Sequence, residues 1–417
     1  MKANRREFLK IGGAAVTISF LGAREILATS ASGQRVVVVV QLAGGNDAIN
    51  TFIPYTDPRY RSLRPTLAVS DQAILKVDSR MGMHPSLSGV VDLYARGKFA
   101  FINNVGFGGL DRSHFHCQDV WQSGFEEGHG HGSGSGGWLG RYADLYLSPA
   151  ASSITSLAIG SRVPLGLSAG EVIPVALTSA ENYDVLTNPL SADDRPEWIS
   201  AIRSSYAAGG RDGTLDEIRI NGESMFQSID LMATIPSPSV TVTYPQSALG
   251  RGLELVARTL HADLGTRLVW VASGGFDTHS TQTGTHANLL SDVSDSLASF
   301  QADLESRGIS ERVVVMAWSE FGRRAQENAS GGTDHGKAGS VFLLGDGIKG
   351  GSFYGEVPGL DALDDGDLPT QIDFRSVYWT LIESWLGNDP EPVLHGRYAN
   401  LGFIEKETVG RRRVVRR

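Results

Sequence analysis

Five apolar runs that end in glycine or polar residues set the strongest limit on how this chain folds. They are RVVVVVQLAGGND (35–47), KFAFINNVG (98–106), RLVWVASGG (267–275), RVVVMAWSEFG (312–322) and SVFLLGDG (340–347). Their apolar character is continuous rather than alternating, which indicates strands that are covered on both faces, as in parallel sheets.

Helical patterns lie between these runs. In HANLLSDVSDSLASFQADLESRG, leucine, valine and phenylalanine recur at helical spacing, with Thr285 as the expected N-cap and Gly308 as the expected stop. Alternating strands and helices predict a three-layer α/β/α sandwich with a mainly parallel central sheet. We expect one domain over residues 33–410, with a cap insertion near 160–245, where the pattern weakens.

Composition narrows the class of protein. The chain has 417 residues, of which 41% are apolar and 20% charged, as in soluble globular proteins. Its single cysteine, Cys117, excludes an intrachain disulfide. The net charge of -9 argues against nucleic acid as a partner, because phosphate backbones attract basic surfaces.

The two ends of the chain differ from its body. Residues 1–32 combine Arg5-Arg6, a short apolar run and small residues, which is the layout of a twin-arginine export signal. This predicts passage through the twin-arginine translocase to a periplasmic or extracellular location; an uncleaved membrane anchor is the alternative. The basic tail, residues 411–417, is either a frayed terminus or a contact for an anionic surface.

Acidic and imidazole side chains follow several of the predicted strands. Because the carboxyl ends of parallel strands share one edge of a sheet, we expect these side chains to meet there. Converging carboxylates would repel one another without a cation, and Asp, Glu and His together suit Zn²⁺, Mn²⁺ or Mg²⁺, with Ca²⁺ as a further candidate. The expected ligands are Asp47, Asp277, His279, Glu320, Asp334 and His335.

Each of these residues also has a structural explanation. Asp47 is a possible helix cap, Glu320 a partner for Arg323 or Arg324, and His335 a loop histidine. What favours metal binding is the recurrence of the same residue types after separate strands.

A nucleophile is expected in GGLDRSHFHCQDVWQSG, residues 108–124. Ser113 is the candidate, activated by a bound metal, and His114 a candidate catalytic partner. Arg112 or Arg323 would grip a tetrahedral oxyanion in a forked arrangement. His114 and His116 are two residues apart, so at most one of them faces the site. The alternative role for Ser113 is a helix N-cap.

The motifs GGND, RSHF, GGFDTH, SEFGR and GTDHG, in this order behind the signal, resemble the exported family known as domain of unknown function 1501. That family is grouped with the alkaline phosphatase and sulfatase superfamily. The resemblance implies an α/β/α fold, commonly two metals, and a serine, threonine or formylglycine nucleophile. Carried over by motif, Asp47 binds the metal that activates Ser113, and Glu320 replaces a carboxylate of an Asp-His pair. Asp277, His279 and His335 hold the other metal, while Asn46, Arg112 and Arg323 contact substrate.

The sequence departs from the superfamily pattern in three places. Asp277 and His279 have one residue between them where the superfamily often has three, and His286 is a possible substitute for His279. The Asp-His pair appears as Glu320-Phe321, so one ligand is missing unless Asp334 supplies it. One metal, two or none are therefore left open. A formylglycine motif is absent, because Cys117 is followed by QDVW.

These observations support three functions. The first is a metal-dependent hydrolase of a phosphate or sulfate ester in the cell envelope, with Ser113 or water as nucleophile. The second is a catalytically degenerate protein that binds an envelope polymer or a protein partner. The third is a metal-free serine hydrolase that uses Ser113 with His114 or His116, for which the sequence offers no recognisable orienting acid.

Overall fold

A computed structural model describes residues 34–109, 111–126, 136–148, 152–180, 195–208, 213–236 and 241–405. All five predicted runs form strands. The strands are β1 (Val36–Leu42), β2 (Phe52–Ile53), β3 (Leu75–Lys76), β4 (Gly82–Met83), β5 (Phe99–Gly106), β6 (Ser156–Ile159), β7 (Val175–Leu177), β8 (Leu268–Ser273), β9 (Val313–Trp318), β10 (Gly339–Leu344), β11 (Phe353–Tyr354) and β12 (Ile372–Asp373).

The helices mostly connect these strands. The α-helices are α1 (Ala48–Thr51), α2 (Pro58–Leu63), α3 (Ser88–Ala95), α4 (His114–Ser123), α5 (Trp138–Tyr146), α6 (Arg195–Ala207), α7 (Gly213–Met232), α8 (Ala248–His261), α9 (Gln282–Ser306), α10 (Phe374–Thr380) and α11 (Glu391–Leu394). A π-helical turn, Leu381–Leu386, continues α10.

The central sheet has the strand order β11-β5-β10-β9-β1-β8-β6-β7, and β12 also pairs with β5. Strand β1 pairs in parallel with both β8 and β9, and β6 is parallel to β7 and β8. Strand β10 is antiparallel to its neighbours β9 and β5. The sheet is therefore mixed but mainly parallel, as predicted.

Both faces of the sheet are buried. Along β1, Val36, Val38 and Val40 pack into one apolar cluster, which includes side chains of α3, α8 and α9. Val37 and Val39 face a second cluster, formed with α4, α5 and α10. Because successive side chains of a strand point to opposite faces, the run of valines fills two cores at once. The fold is a three-layer α/β/α sandwich.

The sheet topology brings several loops to one edge. The parallel strands β1, β8 and β9 end there, and β5 ends there too, because β10 is antiparallel to both β5 and β9. For the same reason β10 begins at this edge, so the loop that precedes it arrives at the same place. The segments after β1, β5, β8 and β9 and before β10 therefore meet.

Within the region 160–245, where a cap insertion was expected, β7 extends the central sheet through β6, and α6 and α7 pack against one another. One local prediction needs correction. Helix α9 begins at Gln282 and not after Thr285, with Thr281 at the N-cap position. The backbone N–H groups of Thr281 and Gln282 donate to Ser330 and Gly331, so contact with another loop sets this helix start. Gly308 does follow the end of α9 with a positive φ of 68°.

The predicted export signal, residues 1–32, and the basic tail, residues 411–417, lie outside the described residues. Among the helices that the structure describes, none combines the length and the apolar character needed to cross a membrane.

Candidate metal centre

Glycines allow the loops at this edge to touch. Gly44, after β1, has a φ of 124°, and a Cβ placed on it would come within 2.4 Å of the Asp277 backbone nitrogen. A Cβ on Gly332 would come within 2.3 Å of the His279 carbonyl carbon. Glycine at both positions is therefore required by close backbone approach, which explains the GG pairs before Asp47 and Asp334.

Arg323 holds these loops together. Its buried guanidinium donates to the carbonyl oxygens of Gly44, Gly45, Phe276 and Thr333. The same group donates to Asp277 Oδ1 at 2.7 Å. Its side chain has no exposed surface, and all three of its nitrogens donate to groups of the protein, so Arg323 positions the loops of the site. This placement does not support the predicted role as an oxyanion clamp.

Three histidines surround the Asp277 carboxylate. His279 Nε2 lies 3.0 Å and His335 Nε2 3.1 Å from Asp277 Oδ1, and the two Nε2 atoms are 2.9 Å apart. His114 Nε2 lies 3.5 Å from Asp277 Oδ2. Two ligands of a tetrahedral zinc ion are about 3.3 Å apart, so these spacings are close to those of a metal site.

The other ring nitrogen of each histidine has its own partner. His114 Nδ1 lies 2.8 Å from Glu320 Oε1, and His279 Nδ1 lies 3.2 Å from Asp334 Oδ1. His335 Nδ1 donates to the Arg112 carbonyl oxygen at 2.9 Å. A hydrogen bond from Nδ1 to an oxygen leaves the Nε2 lone pair for a metal, and such outer partners orient metal-binding histidines. In all three cases Nε2 faces Asp277.

This donor set fits a divalent ion. One nitrogen, His114 Nε2, is buried and has no hydrogen-bond partner, which is unusual for a buried polar atom. Among the residues that the structure describes, His114, Asp277 and His335 form the one group of three metal-binding side chains whose ligand atoms all lie within 4.8 Å of each other. His279, which contacts two of these three, supplies a fourth donor.

The charge state of Asp277 suits a ligand. Although burial alone would raise the pKa of Asp277, the hydrogen bond from Arg323, together with the neighbouring imidazoles of His335 and His279, lowers it to about 2. Burial lowers the pKa of His335, which favours the neutral imidazole. Metal binding requires an ionised carboxylate and neutral imidazoles, and these two groups are held in those states at neutral pH.

Glu320 and Asp334 lie behind the histidines. Glu320 has no exposed surface, and its Oε1 accepts from Gly44 N, His114 Nδ1 and Gln118 Nε2 at 2.8–2.9 Å. Asp334 Oδ1 accepts from Asn328 Nδ2 at 3.0 Å and contacts His279. Both carboxylates therefore orient histidines, and the structure does not support the expectation that they bind metal directly.

Asp47 does not join the cluster. Its carboxylate has no exposed surface and pairs with Arg64 Nη1 at 2.5 Å, while Gln282 donates to the same oxygen. It also caps α1 by accepting from Asn50 N. Although burial alone would raise it, Arg64 holds the pKa of Asp47 below its usual value. A guanidinium thus neutralises the carboxylate that was expected to bind metal.

Asn46 and Arg112 are also engaged within the protein. Asn46 is buried and accepts from His286 Nε2 at 2.9 Å, so neither residue faces the opening of the site. His286 therefore does not replace His279 near Asp277. The Arg112 side chain forms an ion pair with the buried carboxylate of Asp367, and this pairing does not support direct contact with substrate.

Ser113 occupies the N-cap position of α4, directly before His114. Its side chain makes no capping hydrogen bond, so its hydroxyl is not used by the helix. His116 points elsewhere, with its Nδ1 2.9 Å from Asp111 Oδ2. Asp111 is thus an orienting acid for His116 that the sequence did not reveal.

Buried histidines next to the site predict a pH-dependent stability. Burial lowers the pKa of His286 and of His84 to about 4, so both are neutral when folded. Below their unfolded pKa of about 6.5 the unfolded chain binds more protons, so stability falls as pH drops from about 6.5 to 4. Each contributes about 3 kcal/mol across that range, at ~1.4 kcal/mol per pH unit. In metal-free protein, urea unfolding of His286→Gln should show a shallower decline; an unchanged slope contradicts this prediction.

A protein-family match covers the part of the chain that contains three of the five motifs. Residues 245–383 match the family described as "Protein of unknown function (DUF1501)". This third of the chain contains GGFDTH, SEFGR and GTDHG, and the match confirms the resemblance there. No curated protein matches the chain.

Several solved structures resemble this chain, with low sequence identity and low TM-scores. Ps i-CgsB is 9% identical, with a TM-score of 0.39 over 88% of this chain and 76% of its own. The lipoteichoic acid synthase LtaP from Listeria monocytogenes is 10% identical, with a TM-score of 0.35 over 91% and 80%. The alkaline phosphatase from the Antarctic bacterium TAB5 is 10% identical, with a TM-score of 0.30 over 77% and 95%. Similarity at this level does not indicate an activity for this chain.

Proposed function

We propose that this protein is an exported, metal-dependent hydrolase of a phosphate or sulfate ester. The observation that carries the proposal is the convergence of three imidazole Nε2 atoms on one ionised carboxylate, each imidazole oriented by a separate oxygen. The ligands would be His114, Asp277, His279 and His335. A divalent ion held there would polarise an ester oxygen and lower the pKa of a nearby water or hydroxyl.

One ion, rather than two, is the arrangement that we propose. The carboxylates expected to hold a second ion are Asp47 and Glu320, and both are fully buried with their oxygens already engaged. Arg64 supplies the charge that neutralises Asp47, and four hydrogen-bond donors surround Glu320. Recruiting either carboxylate to a metal would break these bonds and leave buried donors unsatisfied, which is costly.

The residues of the chain also bear on the choice of nucleophile. The Ser113 hydroxyl is not used for capping and belongs to the residue before His114, so it is one available oxygen; a water is the other. Glu320 orients His114, and Asp334 orients His279. The substrate anion would be held by the ion, because Arg112 and Arg323 are engaged by carboxylates.

The experiment that tests this function is metal analysis followed by turnover. Protein purified without chelator should contain about one equivalent of transition metal. A panel of aryl phosphates, phosphodiesters and aryl sulfates should then give turnover that a chelator removes. Ser113→Ala abolishes turnover if serine is the nucleophile and preserves it if water is. Protein that contains no bound metal after this purification, or turnover that survives chelation, contradicts the proposal.

A second function is suggested by the ion pairs of Arg112 and Arg323 with carboxylates of the protein. Because each of these two cations pairs with a carboxylate, the site also suits a protein that binds an envelope polymer or a partner without catalysis. Metal at one equivalent with no turnover on any ester favours this function. The metal-free serine hydrolase has Asp111 and His116 in its favour, but no hydrogen bond joins Ser113 to His116.

Export by the twin-arginine route stays a proposal drawn from residues 1–32, as does contact of the basic tail with an anionic surface. An acidic body, with a net charge of -9 for the whole chain, gives no reason to propose nucleic acid as a partner.

A further inference from the structure

His335 is oriented by a residue in an unusual conformation. Arg112, whose carbonyl oxygen accepts from His335 Nδ1 at 2.9 Å, has a φ of 63°. This left-handed conformation costs about 1–2 kcal/mol for a residue other than glycine. Such conformations persist only when neighbouring structure holds them, and they are common at functional sites.

The neighbouring structure here is an ion pair. The Arg112 guanidinium pairs with Asp367, whose side chain has no exposed surface. Asp367 is itself fixed in a turn, because its backbone and that of Asp364 exchange hydrogen bonds of 2.9 and 3.0 Å. The carboxylate of Asp367 is buried, and Arg324 Nε lies 3.6 Å from its other oxygen. Because a buried carboxylate is costly to leave without a cation, the pair favours one position of the Arg112 side chain.

We propose that Arg112 acts through its backbone as a positioning residue for His335. The pair with Asp367 holds residue 112 in the left-handed conformation, which points its carbonyl oxygen at His335 Nδ1. The Nδ1–H···O bond selects the tautomer whose Nε2 lone pair faces Asp277. The arginine of the RSHF motif is thereby assigned to the metal site, and not to the substrate. The proposal rests on the proposed function in that His335 is taken as a metal ligand.

A comparison of Arg112→Gly with Arg112→Ala distinguishes a role of the Arg112 backbone from a role of its side chain. Both remove the guanidinium, but only glycine adopts a φ of 63° without strain. The comparison is made in an Asp367→Asn background, so that loss of the Arg112 cation does not leave the buried carboxylate with Arg324 alone. We expect Arg112→Gly in this background to bind Zn²⁺ within about threefold of wild type. Arg112→Ala should bind Zn²⁺ about tenfold more weakly, the loss typical of an outer-shell partner.

Zn²⁺ affinity is measured by competition with a chromophoric chelator. The ¹⁵N shifts of the His335 ring, in metal-free protein labelled at histidine, report the tautomer directly. We expect protonated Nδ1 in wild type and in the glycine variant, and a mixture in the alanine variant. Asp263, which also has a positive φ of 54°, lies at the opposite edge of the sheet, before β8. Asp263→Ala and Asp263→Gly should leave both readouts unchanged.

Equal Zn²⁺ affinities and equal ring shifts for the glycine and alanine variants overturn the proposal. If wild type binds no metal, the proposed function fails. The ring shifts then still decide whether Arg112 positions His335.

Discussion

Asp277→Asn should lower the affinity for a divalent metal by more than about 100-fold, beyond the loss typical of an outer-shell partner, and should remove any ester hydrolysis. Three imidazole Nε2 atoms lie 3.0–3.5 Å from the oxygens of this one carboxylate. Asparagine removes the negative charge that a divalent ion needs and keeps an oxygen that can accept from Arg323. The fold should therefore persist while the metal is lost.

The matched control is Asp334→Asn. Asp334 lies one step further out, where it contacts His279 Nδ1 at 3.2 Å and accepts from Asn328. We expect its substitution to reduce metal affinity by about tenfold. Isothermal titration with Zn²⁺ or Mn²⁺, with circular dichroism to confirm folding, measures both variants. Wild-type affinity in folded Asp277→Asn would contradict the assignment of this carboxylate as a ligand.

The central strands were predictable because each of them forms a continuous apolar run. The side chains of Val36 to Val40 cover both faces of one strand. A continuous valine run of this kind is typical of a strand that is buried on both faces. Strands β6 and β7 were missed for the opposite reason. They are four and three residues long, too short for a pattern to emerge from one sequence. Their place in the sheet is set by pairing with β8 and with each other.

The candidate site was predictable where its acidic and imidazole side chains lie in the loops beside the predicted strands. Asp277, His279 and His335 were expected together, and the structure brings them together. His114 was expected as a catalytic partner, and its position beside Asp277 depends on where α4 begins and on the hydrogen bond to Glu320. The local sequence reveals neither the start of α4 nor this hydrogen bond. The position of His114 after β5 was nevertheless a signal, because β5 ends at the same edge of the sheet.

The remaining site residues have partners far away in sequence that the motifs did not indicate. Arg323 looked available to substrate, but its donors satisfy carbonyl oxygens from three loops. Asp47 looked like a ligand, but Arg64 lies 17 residues further on, in no recognisable motif. A sequence shows which side chains reach an edge of the sheet. It does not show which of them are neutralised by cations from elsewhere.

Neutralisation by a distant cation should have a large effect on the free energy of unfolding at Asp47. Arg64→Met should lower the free energy of unfolding by about 3–5 kcal/mol, because it leaves the Asp47 carboxylate buried without its cation. Both side chains have no exposed surface and are 2.5 Å apart. The double variant Arg64→Met/Asp47→Asn removes both charges and should be more stable than the sum of the single changes by about 2 kcal/mol or more. Urea unfolding of the four proteins closes this double-mutant cycle.

Metal content measured on the same four proteins decides the role of Asp47. If a guanidinium neutralises this carboxylate, Asp47→Asn and the double variant bind one equivalent of metal, as wild type does, and differ only in stability. If Asp47 is a ligand, both lose metal, and the two halves of the cycle show no coupling in stability. Because the ligands proposed here lie in the loops after β5 and β8 and before β10, a buried Asp47–Arg64 pair serves to fix the loop after β1. The result expected is therefore a loss of stability without a loss of metal.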